Sequence, residues 1–131
     1  MAVPTGLNHV ALSVAPGTLT AEWRAELLGF YGAVLGWSEI ESLRLPDRLT
    51  ISVGRYSYVN VRERSEPMTC SGYEHLGIVV ASSDDARDIW HRLHEHPSEV
   101  SLEPFDTDDQ GIGSFRFRYM LPLAVEVQYF S

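Results

Sequence analysis

Residues 7–14 (LNHVALSV) form a short apolar strand pattern with His9 near its start, and the apolar positions then take a helical spacing at Trp23, Leu27, Tyr31, Val34 and Leu35. Between the two patterns, residues 15–20 (APGTLT) form a turn-rich loop. Its Thr20 is placed to cap a helix, with Glu22 and Glu26 near the positive end. Gly29 and Gly32 lower the propensity of that helix, so it depends on packing, and Gly36 supplies a C-terminal stop. Residues 37–44 read as a first return strand, and a period of two returns in 49–53 and 56–62, which predict a hairpin about Gly54-Arg55. Residues 63–72 are polar and hold Pro67 and Gly72, which predicts a linker.

The same order then repeats. Residues 73–80 (YEHLGIVV) read as a strand, and Ser82 with Asp85 approximates a capping box. Ala86, Ile89, Trp90 and Leu93 form a core-facing helical stripe that Pro97 ends. Residues 99–104 predict a short strand, 105–113 an acidic Gly-containing loop, and 114–119 with 123–130 a closing hairpin around Pro122. Each half is therefore strand–helix–strand–strand–strand. His9 and His75 stand 66 positions apart, and so do Asn60 and Glu126 in YVNV and AVEV. Ser38-Glu39-Ile40 resembles Ser98-Glu99-Val100 at an offset of 60, which predicts about six extra residues in the first half before its helix returns.

In a curved sheet built from two such halves, alternate side chains point into a cup. The face that carries His9 also carries Ala11 and Ser13; that of His75 carries Gly77 and Val79; that of Glu126 carries Ala124 and Gln128. Polar residues beside small neighbours suggest a cavity rather than a filled core. Two histidines and a carboxylate on converging strands make a facial triad with open metal positions. Taken singly, each histidine reads as a hydrogen-bonded strand residue and Glu126 as a solvent-facing one; the repeat favours the metal site.

Composition narrows the classes. The 131 residues suffice for one compact domain with its own core. A net charge of −8, with no lysine, excludes a phosphate-neutralising basic stripe and argues against nucleic-acid binding. Cys70 is the only cysteine, which rules out an intrachain disulfide and a Cys-based zinc site, and it reads as a passive linker thiol. The first residues lack the pattern of a secretory signal and no apolar run could span a bilayer, so a soluble cytoplasmic protein is expected. Arg116 and Arg118 share one strand face, where they could clamp a substrate carboxylate, although a solvated face is the plainer reading. His91, His94 and His96 read as a solvated helix end.

LNHVALSV at 7–14, LGFYGAVLGW at 28–37, YEHLGIVV at 73–80 and AVEVQYF at 124–130 together resemble the vicinal oxygen chelate superfamily of glyoxalases, bleomycin resistance proteins and extradiol dioxygenases. The resemblance covers nearly the whole chain. It implies an α+β fold of two βαβββ modules, residues 5–66 and 72–131, forming a curved mixed-sheet cup in a single domain 1–131, usually as a homodimer. It also implies metal ligands at His9, His75 and Glu126, with Asn60 at the fourth ligand position, where glyoxalases carry Glu or Gln. The turn Met120-Leu121-Pro122-Leu123 departs from the family's usual Asp-Pro-Asp-Gly-like turn.

The metal implied is Fe(II), Mn(II), Zn(II) or Ni(II), binding the vicinal oxygens of a small-molecule substrate. Glu126 is then the only carboxylate on the metal and the candidate catalytic base, and Asn60 a weak ligand or a substrate contact. Dioxygenase and isomerase or lyase chemistry both stay open. Thiol-transferase chemistry fits poorly, because the chain runs only five residues past Glu126. The alternative is a metal-free binding protein of the bleomycin-resistance type.

Overall fold

The computed structural model describes residues 1–107 and 112–130. The chain divides into two compact units, Met1–Met68 and Thr69–Ser131. The division falls inside the predicted linker.

In the first unit, β1 (His9–Val14) leads to helix α1 (Ala21–Leu35), then to β2 (Ser38–Glu39), β3 (Arg48–Ser52) and β4 (Tyr58–Glu63). The sheet order is β1-β4-β3-β2, with β1 parallel to β4 and the other pairs antiparallel. Thr20 caps α1 as the sequence predicts, its hydroxyl accepting from the Trp23 amide at 3.1 Å. Gly36 ends the helix in the left-handed conformation at φ 73°, a geometry that favours glycine. Leu27, Phe30, Tyr31 and Val34 of α1 are buried, together with Leu12, Val14, Leu49, Ile51, Val59 and Val61 from the strands. Each such side chain contributes roughly 1.5–3 kcal/mol by leaving water. Met68 in the linker is tied back to β1, its amide donating to Ser13 Oγ at 2.7 Å.

The second unit repeats the plan. β5 (His75–Val79) leads to α2 (Ser83–Glu95), then to β6 (Ser101–Leu102), β7 (Asp106–Thr107), β8 (Ile112–Arg118) and β9 (Ala124–Phe130). The sheet order is β5-β9-β8-β6, with β5 parallel to β9 and β7 attached to β8. Ser82 caps α2 by accepting from the Asp85 amide at 3.1 Å. Ala86, Ile89 and Leu93 of α2 are buried; Trp90 is half-buried and donates from its indole to the Glu103 carbonyl at 3.0 Å.

Three predicted elements differ. The strand predicted over 37–44 pairs only at Ser38 and Glu39, and Glu41–Leu43 turns into a 3-10 helix. Arginine side chains take carbonyls in and after that turn, Arg48 donating to Leu43 and Arg24 to Leu45 and Pro46, while Leu45 and Arg48 form an isolated antiparallel bridge. The acidic loop predicted over 105–113 contains the short strand β7, and its residues 108–111 lie outside the described residues. Finally, Ser38 pairs with Ser52 whereas Ser101 pairs with Arg118. The counterpart of Ser38 is therefore Ser101, not Ser98, and the first half is longer by three residues there rather than six.

The unusual turn after β8 still closes a hairpin, with β8 and β9 paired from Ile112↔Phe130 to Phe117↔Val125. Met120 takes a left-handed φ of 62°, Leu121 and Leu123 are buried, and Arg118 donates to the Pro122 carbonyl at 2.8 Å. Among the described residues, no helix is long and apolar enough to cross a membrane.

Candidate functional site

Burial alternates along β9: Val125, Val127 and Tyr129 are buried, while Ala124, Glu126 and Gln128 are half-exposed. The parallel register places His75 opposite Ala124 and Gly77 opposite Glu126. Alternate residues of a strand share a face, so His75, Gly77, Ala124 and Glu126 lie on the same side, away from α2. Gly77 has no side chain, and this leaves room for the neighbouring groups to meet. His75 Nε2 stands 2.8 Å from Glu126 Oε2.

The other ring nitrogen fixes the chemistry of that contact. His75 Nδ1 lies 2.7 Å from the carbonyl oxygen of Tyr73, which can only accept. Nδ1 therefore carries a proton, and Nε2 faces the carboxylate. Two acceptors at this separation need positive charge between them, either a shared proton or a cation. Metal–nitrogen and metal–oxygen bonds of about 2.0–2.2 Å put adjacent ligands about 3 Å apart. The pair has that spacing, and the backbone carbonyl on Nδ1 is the usual second partner of a metal-ligating histidine. An imidazole nitrogen and a carboxylate oxygen are two donors of the kind that a divalent metal accepts.

His9 begins β1, is exposed, and stacks on Tyr58 at 4.7 Å between ring centres, 3° from parallel. Its Nδ1 is 2.7 Å from Asn8 Oδ1, much as Nδ1 of His75 is held by the Tyr73 carbonyl. Asn60 stands mid-strand opposite Ala11 on β1 and Thr50 on β3. The buried Thr50 hydroxyl donates to Asn60 Oδ1 at 3.2 Å, so the amide oxygen already has a partner.

In the second sheet the equivalent pair is Arg116 opposite Glu126. Arg116 does not pair with Glu126; its Nε donates to Glu103 Oε2 at 3.1 Å. The structure thus brings together His75 and Glu126 in one sheet, with Arg116 on the adjoining strand, and places His9 and Asn60 on one face of the other sheet. Within either unit, the described residues gather no group of three or more His, Cys, Asp or Glu side chains able to hold a metal.

Sequence reasoning missed Thr50 and Glu103. Thr50 was detectable, since it precedes Arg116 by the same 66 positions that relate Asn60 to Glu126. Glu103 follows a strand whose register the sequence misplaces, and it carries no signal of its own. His94 stacks on Trp90 at 4.9 Å, and His91 meets the same indole edge-on at the exposed end of α2.

Paired βαβββ units with a parallel first and last strand are the fold of the vicinal oxygen chelate proteins, and solved structures agree with this chain over nearly its full length. The fosfomycin resistance protein FosX from Listeria monocytogenes, solved with Mn(II) and sulfate, superposes with a TM-score of 0.71 at 15% identity, covering 98% of this chain and 93% of that one. Lactoylglutathione lyase from Agrobacterium tumefaciens gives 0.69 at 20% identity, covering 96% and 94%. A glyoxalase/bleomycin resistance protein/dioxygenase family enzyme from Burkholderia phytofirmans PsJN gives 0.69 at 14% identity, covering 95% and 98%. The likeness at these identities is one of fold. The sequence matches no protein-family model and no curated protein.

Proposed function

We propose that this protein is a metal-dependent enzyme that acts on a small molecule with adjacent oxygen atoms. The observation that carries the reading is the 2.8 Å approach of His75 Nε2 to Glu126 Oε2, with the His75 ring held by the Tyr73 carbonyl. On this reading the two units form one domain, and His9 joins His75 and Glu126 as a third ligand. Fe(II), Mn(II), Zn(II) or Ni(II) suits two imidazoles and a carboxylate. Bound there, the metal would act as a Lewis acid toward the two substrate oxygens.

The chain's own residues do the rest. Glu126 is the carboxylate at the centre, and in isomerase or lyase chemistry it takes the proton that leaves the substrate. Asn60 contacts substrate and does not ligate: with its oxygen accepting from Thr50, it offers the Nδ2 hydrogens to a substrate oxygen. The stacked Tyr58 fixes the plane of His9. Arg116 and Arg118 bind the far end of the substrate. The active form is a homodimer: β1 and β5 are both edge strands, and they leave Val10 and Val79 exposed.

The test is metal analysis of the purified protein beside His9→Ala, His75→Ala and Glu126→Ala. Wild type should retain a divalent ion that each variant loses. A wild-type metal content no higher than that of the variants would remove the basis of the reading. Anaerobic Fe(II) loading, followed by oxygen uptake on a catechol panel, then separates dioxygenase from isomerase or lyase.

A further inference from the structure

A pocket of about 130 Å³ opens on the second sheet, lined by Gly72, Ser101, Glu103, Arg116, Arg118 and Ala124 among others. Its position follows from the strand registers. Arg116 is the cross-strand partner of Glu126, and Ala124 that of His75. Arg118 lies two residues beyond Arg116 on the same face, with Ser101 across from it on β6. Adjacent strands are about 4.8 Å apart, so both guanidinium groups rise from β8, one strand from Glu126 on β9 and two from His75 on β5. Ala124 is the small side chain between pair and pocket, and it leaves the way across open.

The two sheets differ at this place. Thr50 and Ser52 hold the positions in the first sheet that Arg116 and Arg118 hold in the second, as their pairings with Asn60 and Ser38 show. One copy of the repeat is neutral there and the other carries two cations. Glu103 engages only Nε of Arg116, and Arg118 spends one Nη on the Pro122 carbonyl. Each guanidinium has five N–H donors, so both keep free hydrogens for a ligand.

We infer that this pocket is an anion subsite and that the substrate carries a carboxylate a few bonds from its chelating oxygens. The inference rests on the proposed metal reading for the position of those oxygens. Arg116 and Arg118 bind the carboxylate, and Glu103 is a positioning residue that holds Arg116 toward the pocket.

Two probes that differ by a single carboxylate, 3,4-dihydroxybenzoate and catechol, are titrated calorimetrically into the whole protein, both Mn(II)-loaded and metal-free. Wild type should prefer the carboxylate by about tenfold, the worth of one charge-assisted hydrogen bond. Arg116→Ala and Arg118→Ala should each reduce that preference to less than about threefold while catechol affinity stays the same, which also shows that the variants are folded. A preference that survives both substitutions overturns the subsite, as does its absence in wild type or a failure to bind either probe. If Mn(II) does not bind but metal-free protein keeps an arginine-dependent carboxylate preference, the metal reading fails and the subsite stands.

Discussion

Asn60 and Glu126 hold the same place in two repeated sheets. Each sits mid-way along the last strand of its unit, opposite Ala11 or Gly77 on the parallel side and Thr50 or Arg116 on the antiparallel side. Their partners send them to different work. Glu126 turns to His75, and Asn60 Oδ1 accepts a hydrogen bond from the Thr50 hydroxyl.

That difference is measurable in two variants. Thr50→Val keeps the shape of a fully buried side chain and removes the donor, so it should cost about 1 kcal/mol in urea unfolding. Asn60→Ala should leave Mn(II) affinity within about threefold of wild type, because the proposed role of Asn60 is a substrate contact, whereas Glu126→Ala should lower it at least about tenfold.

Stability toward acid should depend on Glu39. The Arg44 side chain donates hydrogen bonds to both carboxylate oxygens and holds the Glu39 carboxyl below the usual carboxylate range, against the opposing effect of burial. A carboxyl lowered on folding stabilises the protein above its unfolded value, and the effect is lost as pH falls through the folded value. Arg44→Ala should therefore lower the melting temperature at neutral pH, and the gap to wild type should close at pH below the ordinary carboxylate range. Thermal scans across that range check both limbs.

Glu63 closes the loop ahead of α1. Its Oε2 accepts from the Leu19 amide at 2.8 Å, joining the end of β4 to a segment 44 residues earlier. Leu19 itself is buried, so Glu63→Ala leaves its amide short of a partner and should cost about 1–3 kcal/mol in chemical unfolding. Glu63→Gln keeps an acceptor and should recover most of the loss.

Much of this was legible because the repeat is printed in side-chain chemistry. His9 with His75, and Asn60 with Glu126, give one offset, and the strand registers reproduce it. Both helix starts were readable from Thr20 and Ser82, whose hydroxyls make the expected caps. The short strands were not. Two paired residues, as in β2, β6 and β7, are too few to establish a period, so Ser98 passed for the counterpart of Ser38. The candidate site was legible as residue types and not as partners. Nothing in the sequence indicates that Arg116 would turn to Glu103, or that backbone carbonyls would occupy the arginines around residues 43–46.

The parallel pairing of first with last strand also governs when each half can fold. His9 must find Tyr58, and His75 must find Ala124, each 49 residues along the chain. Neither sheet can be completed by local hairpins, and closing so long a loop before any reward slows folding. During synthesis, β1 waits as an unpaired, apolar-edged strand until β4 emerges, and β5 waits likewise for β9. The strand that brings Glu126 to His75 is thus also the one whose late arrival sets the pace of assembly.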